Sequence, residues 1–346
     1  TGELMTGANE RSRAGEFARV AAALLVSGLA IWMLARQIDG QAFLAALRSL
    51  NALQIAFIIA CFTAGLFVRG LVCWIILGKE FSFSEAFWAM NVGYLLNSIL
   101  PLRLGEVGRA VLLVRHGRGR RNYPEVFAAI VTERMMDLMV GSLFFLATLP
   151  LMVGESNLKR VVIITAIGLL LLSVVIFLSA RRREKLLEWL ENRFGSNKLV
   201  RNQILPVLDK LLTGFQIFLK PKLFLSAFVL LALSWAMSMV EFGILQHAIL
   251  ATAQWWWPLL ITPASAFVNA LPAAPAGLGV FEAGAVAAYS LVGVGKADAL
   301  AMALVVHAVQ VIIPIFVGMV GIYVMGENLG SLVRSARNQA GGSQVS

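Results

Sequence analysis

The chain has 346 residues, of which 59% are hydrophobic and 14% charged, and its mean hydropathy is +0.81. No soluble core hides that apolar fraction, so the solvent is lipid and the expected fold class is an all-α polytopic membrane protein. The net charge of +10 does not point to nucleic acid, because the basic residues sit in short loops between apolar runs, where they orient a membrane protein.

In chain order, residues 1–16 read as a polar cytoplasmic tail. Residues 17–150 form a first membrane unit, with spans near 17–36, 51–78 and 124–150 and an apolar region at about 83–116 that Pro and Gly interrupt. Residues 151–325 form a second, with spans near 159–179, 223–250 and 297–325 and an interrupted region at about 255–293. The segment 180–222 between its first two spans is basic and amphipathic, as in "EKLLEWLENRF", which suits a helix lying on the cytoplasmic surface. Trp255 to Trp257 suit an interfacial anchor. Residues 326–346 read as a second cytoplasmic tail, and its end, "RNQAGGSQVS", is expected to be unstructured.

Charge sets the orientation. The basic runs at 181–222 and 115–121 and the arginines at 11, 13 and 19 belong inside. The region 83–116 then starts and ends on the cytoplasmic face, and 255–293 starts and ends outside. Both are expected to be re-entrant broken helices, entering from opposite faces, beside about six full spans. "NSILPLRLGEVGRA" from Asn97 matches "NALPAAPAGLGVFEAGA" from Asn269: each has Asn before Leu-Pro, then Gly, then Glu. Arg69 and Glu241 each lie 28 residues upstream of these asparagines (97 − 69 and 269 − 241). Further on, Arg134 aligns with His307 and Asp137 with Gln310. The two units read as an inverted-topology repeat, a recurring transporter construction.

A charge inside a span costs roughly 2.5–3.5 kcal/mol at the bilayer centre, so it needs a reason. Glu133 lies nine residues beyond Pro124 and His307 nine beyond Asp298. At 1.5 Å per residue each is ~14 Å deep, near the midplane of a ~30 Å core. Glu133 and Asp137 share a helix face, with Arg134 beside them. Pro101 ends one half-helix and Gly105 can open another; Pro272, Pro275, Gly277 and Gly279 free the backbone ahead of Glu282. Helix starts attract anions, and Arg103, Arg109 and Arg134 are donors suited to a phosphate. The candidate substrate-binding residues are therefore Arg69, Asn97, Arg103, Arg109, Arg134 and Asn269. Glu106, Glu133, Asp137, Glu241, Glu282 and His307 form a charge or coupling network. Mutual pairing of these arginines and carboxylates, pinning the break, is the competing reading. Cys61 and Cys73 suggest no disulfide, the three histidines have no metal-ligand spacing, and no cofactor is expected.

The ordered set "NSILPLRLGEVGRA", "IVTERMMDLMVG" and "PAAPAGLGVFEAG", with Arg69 in "FVRGLVCW", resembles the lysylphosphatidylglycerol synthase transmembrane family, the flippase-like domain of bacterial multiple peptide resistance factors. The resemblance spans about residues 17–325. It marks Asn97, Pro101, Arg103, Gly105, Glu106, Arg109, Glu133, Arg134, Asp137, Pro275, Gly277, Gly279 and Glu282. It implies movement of a polar lipid between leaflets of the bacterial cytoplasmic (inner) membrane, the lipid being of phospholipid, aminoacyl-lipid, polyprenyl or hopanoid type. The chain carries no soluble aminoacyl-transferase domain, so lipid aminoacylation is not expected, and His307 stands where many members have arginine. A transporter rather than an enzyme is expected. A membrane transferase acting on polyprenyl- or glycolipids and a small-solute or ion transporter are the alternatives.

Overall fold

A computed structural model describes residues 40–100, 103–117, 119–151, 156–270 and 275–340. They are helical, with no strand among them. The helices are α1 (Gly40–Arg48), α2 (Ala52–Ile76), α3 (Phe83–Ile99), α4 (Leu104–His116), α5 (Tyr123–Ala147), α6 (Ser156–Arg181), α7 (Arg183–Phe194), α8 (Leu205–Gly214), α9 (Pro221–Ile249), α10 (Trp257–Asn269), α11 (Val280–Leu291), α12 (Lys296–Val324) and α13 (Leu329–Ala340).

Four helices are long and apolar enough to cross a bilayer: α2, α5 with its 3-10 extension to Leu151, α9 and α12, of 25 to 29 residues. At 1.5 Å per residue each exceeds a ~30 Å core. Helix α6 occupies the place of the expected span 159–179, and the expected span 17–36 lies outside the described residues. Leu171, Val175 and Leu178 of α6, like Leu225 and Val229 of α9, are exposed. Such apolar faces are stable only against lipid. The protein is a multi-pass membrane protein.

Local chemistry fixes where the helices start. Asn51 caps α2 with Gln54, Ser82 caps α3 with Glu85, and Asn122 caps α5 with Glu125, each a reciprocal capping box. Helix α4 differs: Arg103 precedes it in the left-handed region (φ 56°) without a side-chain cap. There the chain reverses. An ideal Cβ on Gly105 would lie 2.0 Å from the Gly93 carbonyl oxygen, and one on Gly108 would meet Leu96. Gly105 also meets Asn97, whereas Arg109, four residues on, meets Gly93, four residues back, so α4 runs back along α3. The outer ends of this hairpin are clasped together by Arg120–Glu85 (3.1 Å) and Arg121–Glu80 (2.6 Å). The second interrupted region does the same. Ala276 takes the left-handed conformation (φ 59°) at its turn, and Gly284 of α11 lies against Ala264, Ser265 and Val268 of α10.

The asparagines meet their hairpins at matched positions. Asn97 Oδ1 accepts from the Gly105 N–H at 2.8 Å, eight residues on. A Cβ on Gly277, eight residues after Asn269, would fall 1.9 Å from Asn269 Oδ1.

Packing between elements follows a reciprocal scheme. Helix α2 packs on α9; α3 packs on α12 as α10 packs on α5; α1 packs on α12 as α8 packs on α5; and the contacts of α2 with α3 and α5 match those of α9 with α10 and α12. Among the described residues, buried apolar side chains form two large clusters and a small one around Leu278 and Ala308. One large cluster joins α2–α5 to the beginning of α9 and the end of α12; the other joins α10 and α11 to the end of α9 and the beginning of α12.

The expectation of an unstructured end over 337–346 is corrected for its first four residues, and 341–346 lie outside the described residues. Arg337 to Ala340 continue helix α13, which buries Leu332 and Ala336 against the bundle. Its neighbourhood is tied to α4 by Arg115 to Glu327 (3.3 Å) and Ser335 (2.6 Å) and by His116 to the Met325 carbonyl (3.1 Å). Apolar residues spaced four apart drive the helix although its composition is polar.

Gly105→Ala should lower stability by about 1–3 kcal/mol through overpacking. Gly168→Ala, in open space on α6, should raise it by about 0.5–1 kcal/mol. Thermal unfolding in detergent reads both signs.

Candidate functional site

The polar centre is built outward from α5. Glu133, Arg134 and Asp137 lie one and four residues apart on that helix, so two carboxylates flank one guanidinium on nearly one face. Arg109 of α4 meets Glu133 with both terminal nitrogens, at 2.5 and 3.3 Å, and both side chains are only 2% exposed. Glu133 also accepts from Arg134 at 2.6 Å. Arg134 reaches Asp137 at 3.2 Å and Glu106, in the first turn of α4, at 3.7 Å. Asp137 is held further by Arg69 of α2 at 3.0 Å and by the Trp235 indole N–H of α9 at 3.1 Å. Four helices thereby converge on one connected network. Each carboxylate in it has at least one cationic neighbour, the condition under which buried charge is tolerated.

The second hairpin carries a smaller counterpart. Glu282 accepts from the Gly279 N–H at 2.8 Å, and its other oxygen lies 2.6 Å from His307 Nδ1. His307 Nε2 lies 3.0 Å from the Ala276 carbonyl. In both halves, then, the glutamate of the returning helix meets a cationic-type side chain of the following span: Glu106 with Arg134, Glu282 with His307.

The hairpin tips touch. The Arg103 guanidinium donates to the main-chain carbonyl of Asn269 at the end of α10. Arg103 makes no ion pair among the described residues, unlike Arg69, Arg109 and Arg134.

A cavity of about 520 Å³ lies where these parts meet. Of the residues singled out from the sequence, Arg69, Asn97, Arg103, Glu106, Arg134 and Asp137 border it from the first half, and Glu241, Asn269, Gly277 and His307 from the second. Arg109 and Glu133 do not border it. Arg109 was expected to bind a headgroup directly; it is sealed behind the wall with its charge taken up by Glu133, because a fully desolvated guanidinium needs a bidentate partner. Glu282, Gly105, Pro275 and Gly279 also lie outside the lining. Pro101 and Pro272 lie outside the described residues.

Sequence reasoning missed Tyr94, Trp235, Ser234 and Ser238, which also face the cavity. A tryptophan in an apolar span reads as packing, and its bond to Asp137 crosses 98 residues. A signal did exist: Ser234, Ser238 and Glu241 recur four and three residues apart in an otherwise apolar helix, so they share a face. No cluster of three metal-ligating side chains occurs among the described residues.

Arg109→Met should destabilise by about 3–5 kcal/mol, since it strands Glu133 in a dry site. Arg109→Met combined with Glu133→Leu should cost clearly less than the single change. Unfolding of the purified variants in detergent measures both.

The profile of the lysylphosphatidylglycerol synthase TM region matches residues 20–318. No curated protein and no solved structure matches the chain. The matched range holds the polar network, both hairpins and the cavity between them, and the chain belongs to the lysylphosphatidylglycerol synthase transmembrane family.

Proposed function

We propose that the protein is a flippase-like transporter that moves a polar or anionic lipid between the leaflets of the bacterial cytoplasmic membrane. One observation carries this reading. A cavity of headgroup size lies between two hairpin tips and is bordered by Arg103, a guanidinium with no carboxylate partner among the described residues. A half-buried cation without a bonded counter-charge suits an anion. Family membership supports a membrane-lipid role.

In this reading the headgroup sits against Arg103, Arg134 and Arg69, with Asn97 and Asn269 as polar contacts. Arg109 acts at one remove: it fixes Glu133, which fixes Arg134. Glu106 and Asp137 hold Arg134 and Arg69 in place.

The two halves form an inverted-topology repeat, and the hairpins α3–α4 and α10–α11 are re-entrant from opposite faces. The reciprocal packing scheme, the matched Asn–Gly spacing and the clasp that closes α3–α4 at its basic end support this. Both termini then lie in the cytoplasm. The sequence holds no Walker loop, so transport runs downhill or draws on a gradient.

The test is lipid movement in phosphatidylcholine vesicles carrying tail-labelled phosphatidylglycerol, read with an impermeant quencher. Losing one charge-assisted hydrogen bond of roughly 1.5 kcal/mol predicts that Arg103→Ala slows movement about tenfold. Equal rates for wild type and Arg103→Ala, at equal folding, would remove Arg103 from the site. A covalently altered lipid, found by mass spectrometry, would replace transport with transfer chemistry.

A further inference from the structure

We propose that Glu241 is the proton-binding site of this cavity, and that one proton crosses together with the lipid anion. This rests on the lipid-moving reading above and names its coupling.

Glu241 lies in α9 and borders the cavity, yet it has no exposed surface. Neither carboxyl oxygen has a hydrogen-bond partner among the described residues. The neighbouring elements offer several titratable or charged groups: Cys61 and Arg69 on α2, Arg134 and Asp137 on α5, and His307 on α12. Helix α10 carries none. Across the cavity stand Tyr94, Arg103 and Glu106. None of these bonds to Glu241. The other cavity acids are engaged: Asp137 by Arg69 and Arg134, and Glu106 by Arg134. A carboxylate stripped of water and left without a directly bonded cation is strongly disfavoured. In this arrangement Glu241 therefore holds a proton.

Charge balance shows what that proton does. Arg69, Arg109 and Arg134 pair with Glu106, Glu133 and Asp137, and Arg103 borders the same cavity without an ion pair among the described residues, four positive charges against three negative. The His307–Glu282 pair adds nothing. Nε2 meets a carbonyl and so carries a hydrogen, and a single proton is shared between Nδ1 and the carboxylate. With Glu241 protonated the site is +1; with Glu241 ionised it is neutral.

A monoanionic headgroup thus neutralises the protonated site, and the empty site is neutral once the proton leaves. The two half-loaded states carry uncompensated charge at membrane depth, which is expensive. Proton and anion therefore favour each other's binding by the same factor, the requirement for symport. No covalent bond to the lipid forms or breaks. The proton leaves the Glu241 carboxyl for water on the exit side as the headgroup departs.

The vesicle assay described above tests this with an imposed pH gradient. Acid on the labelled side should speed movement of labelled phosphatidylglycerol away from it in wild type. Glu241→Gln, fixed in the uncharged form, should lose that dependence on the gradient. A variant that keeps the wild-type response overturns the proposal while leaving lipid movement intact. Infrared spectroscopy of the reconstituted protein provides a readout independent of transport. Loss of a protonated-carboxyl stretch in Glu241→Gln supports the site, and identical spectra overturn it. Wild-type protein that moves no labelled lipid removes the lipid reading and the coupling together; the infrared band still decides whether Glu241 holds the proton.

Discussion

The bidentate contact between Arg109 and Glu133 governs the rest of the architecture. A guanidinium with 2% of its side chain exposed, on a short helix at membrane depth, has no water to fall back on. Glu133 supplies the compensation from α5, which locks the returning arm of the first hairpin to the following span. With that lock in place, Glu133 can still accept from Arg134, Arg134 can face Asp137, and Asp137 can hold Arg69 and Trp235. Each link orients the next, so the cavity wall inherits its geometry from a pair that never reaches it. Such networks act as a unit, and their members cannot be assigned separate energies.

The two halves share a plan and differ in charge. Glu106 with Arg134 and Glu282 with His307 occupy corresponding places, but the first pair belongs to a six-member ion-paired cluster and the second stands nearly alone. The cavity is therefore electrically lopsided: strongly ionic on the side of the first hairpin, close to neutral on the side of the second. In the proposed transport a headgroup entering between the tips would meet a directional field rather than a symmetric cage. The contact of Arg103 with the Asn269 carbonyl bridges the two environments.

Much of this was legible in the sequence because membrane helices announce themselves by length and composition. The reading of 51–78, 124–150, 223–250 and 297–325 lies within a few residues of α2, α5, α9 and α12. The breaks were legible too, since Pro and Gly in an apolar run have few other uses. Placement on either side of the cavity wall was not. Arg103 and Arg109 look alike on paper and are six residues apart, yet one borders the cavity and the other is sealed behind it. That distinction depends on how α4 turns beneath Arg103, whose left-handed conformation no propensity predicts for arginine. Trp235 escaped for a related reason, since its polar end matters only once Asp137 is beside it. The C-terminal helix escaped because its apolar face is narrow: Leu329, Leu332, Val333 and Ala336 recur at helical spacing inside an otherwise polar segment.

Asn97 carries one more consequence. Its side-chain oxygen is occupied by the Gly105 N–H, which closes the turn of the first hairpin. What the residue has left on the cavity side is an amide nitrogen with two hydrogens. Together with the guanidinium of Arg103, it adds donors to the wall, which in the proposed transport would suit a group made of acceptors, as phosphate oxygens are. Aspartate at this position would keep the bond that shapes the backbone but strip the wall of both N–H groups. The amide thus does two jobs with its two ends, and only one of them concerns folding.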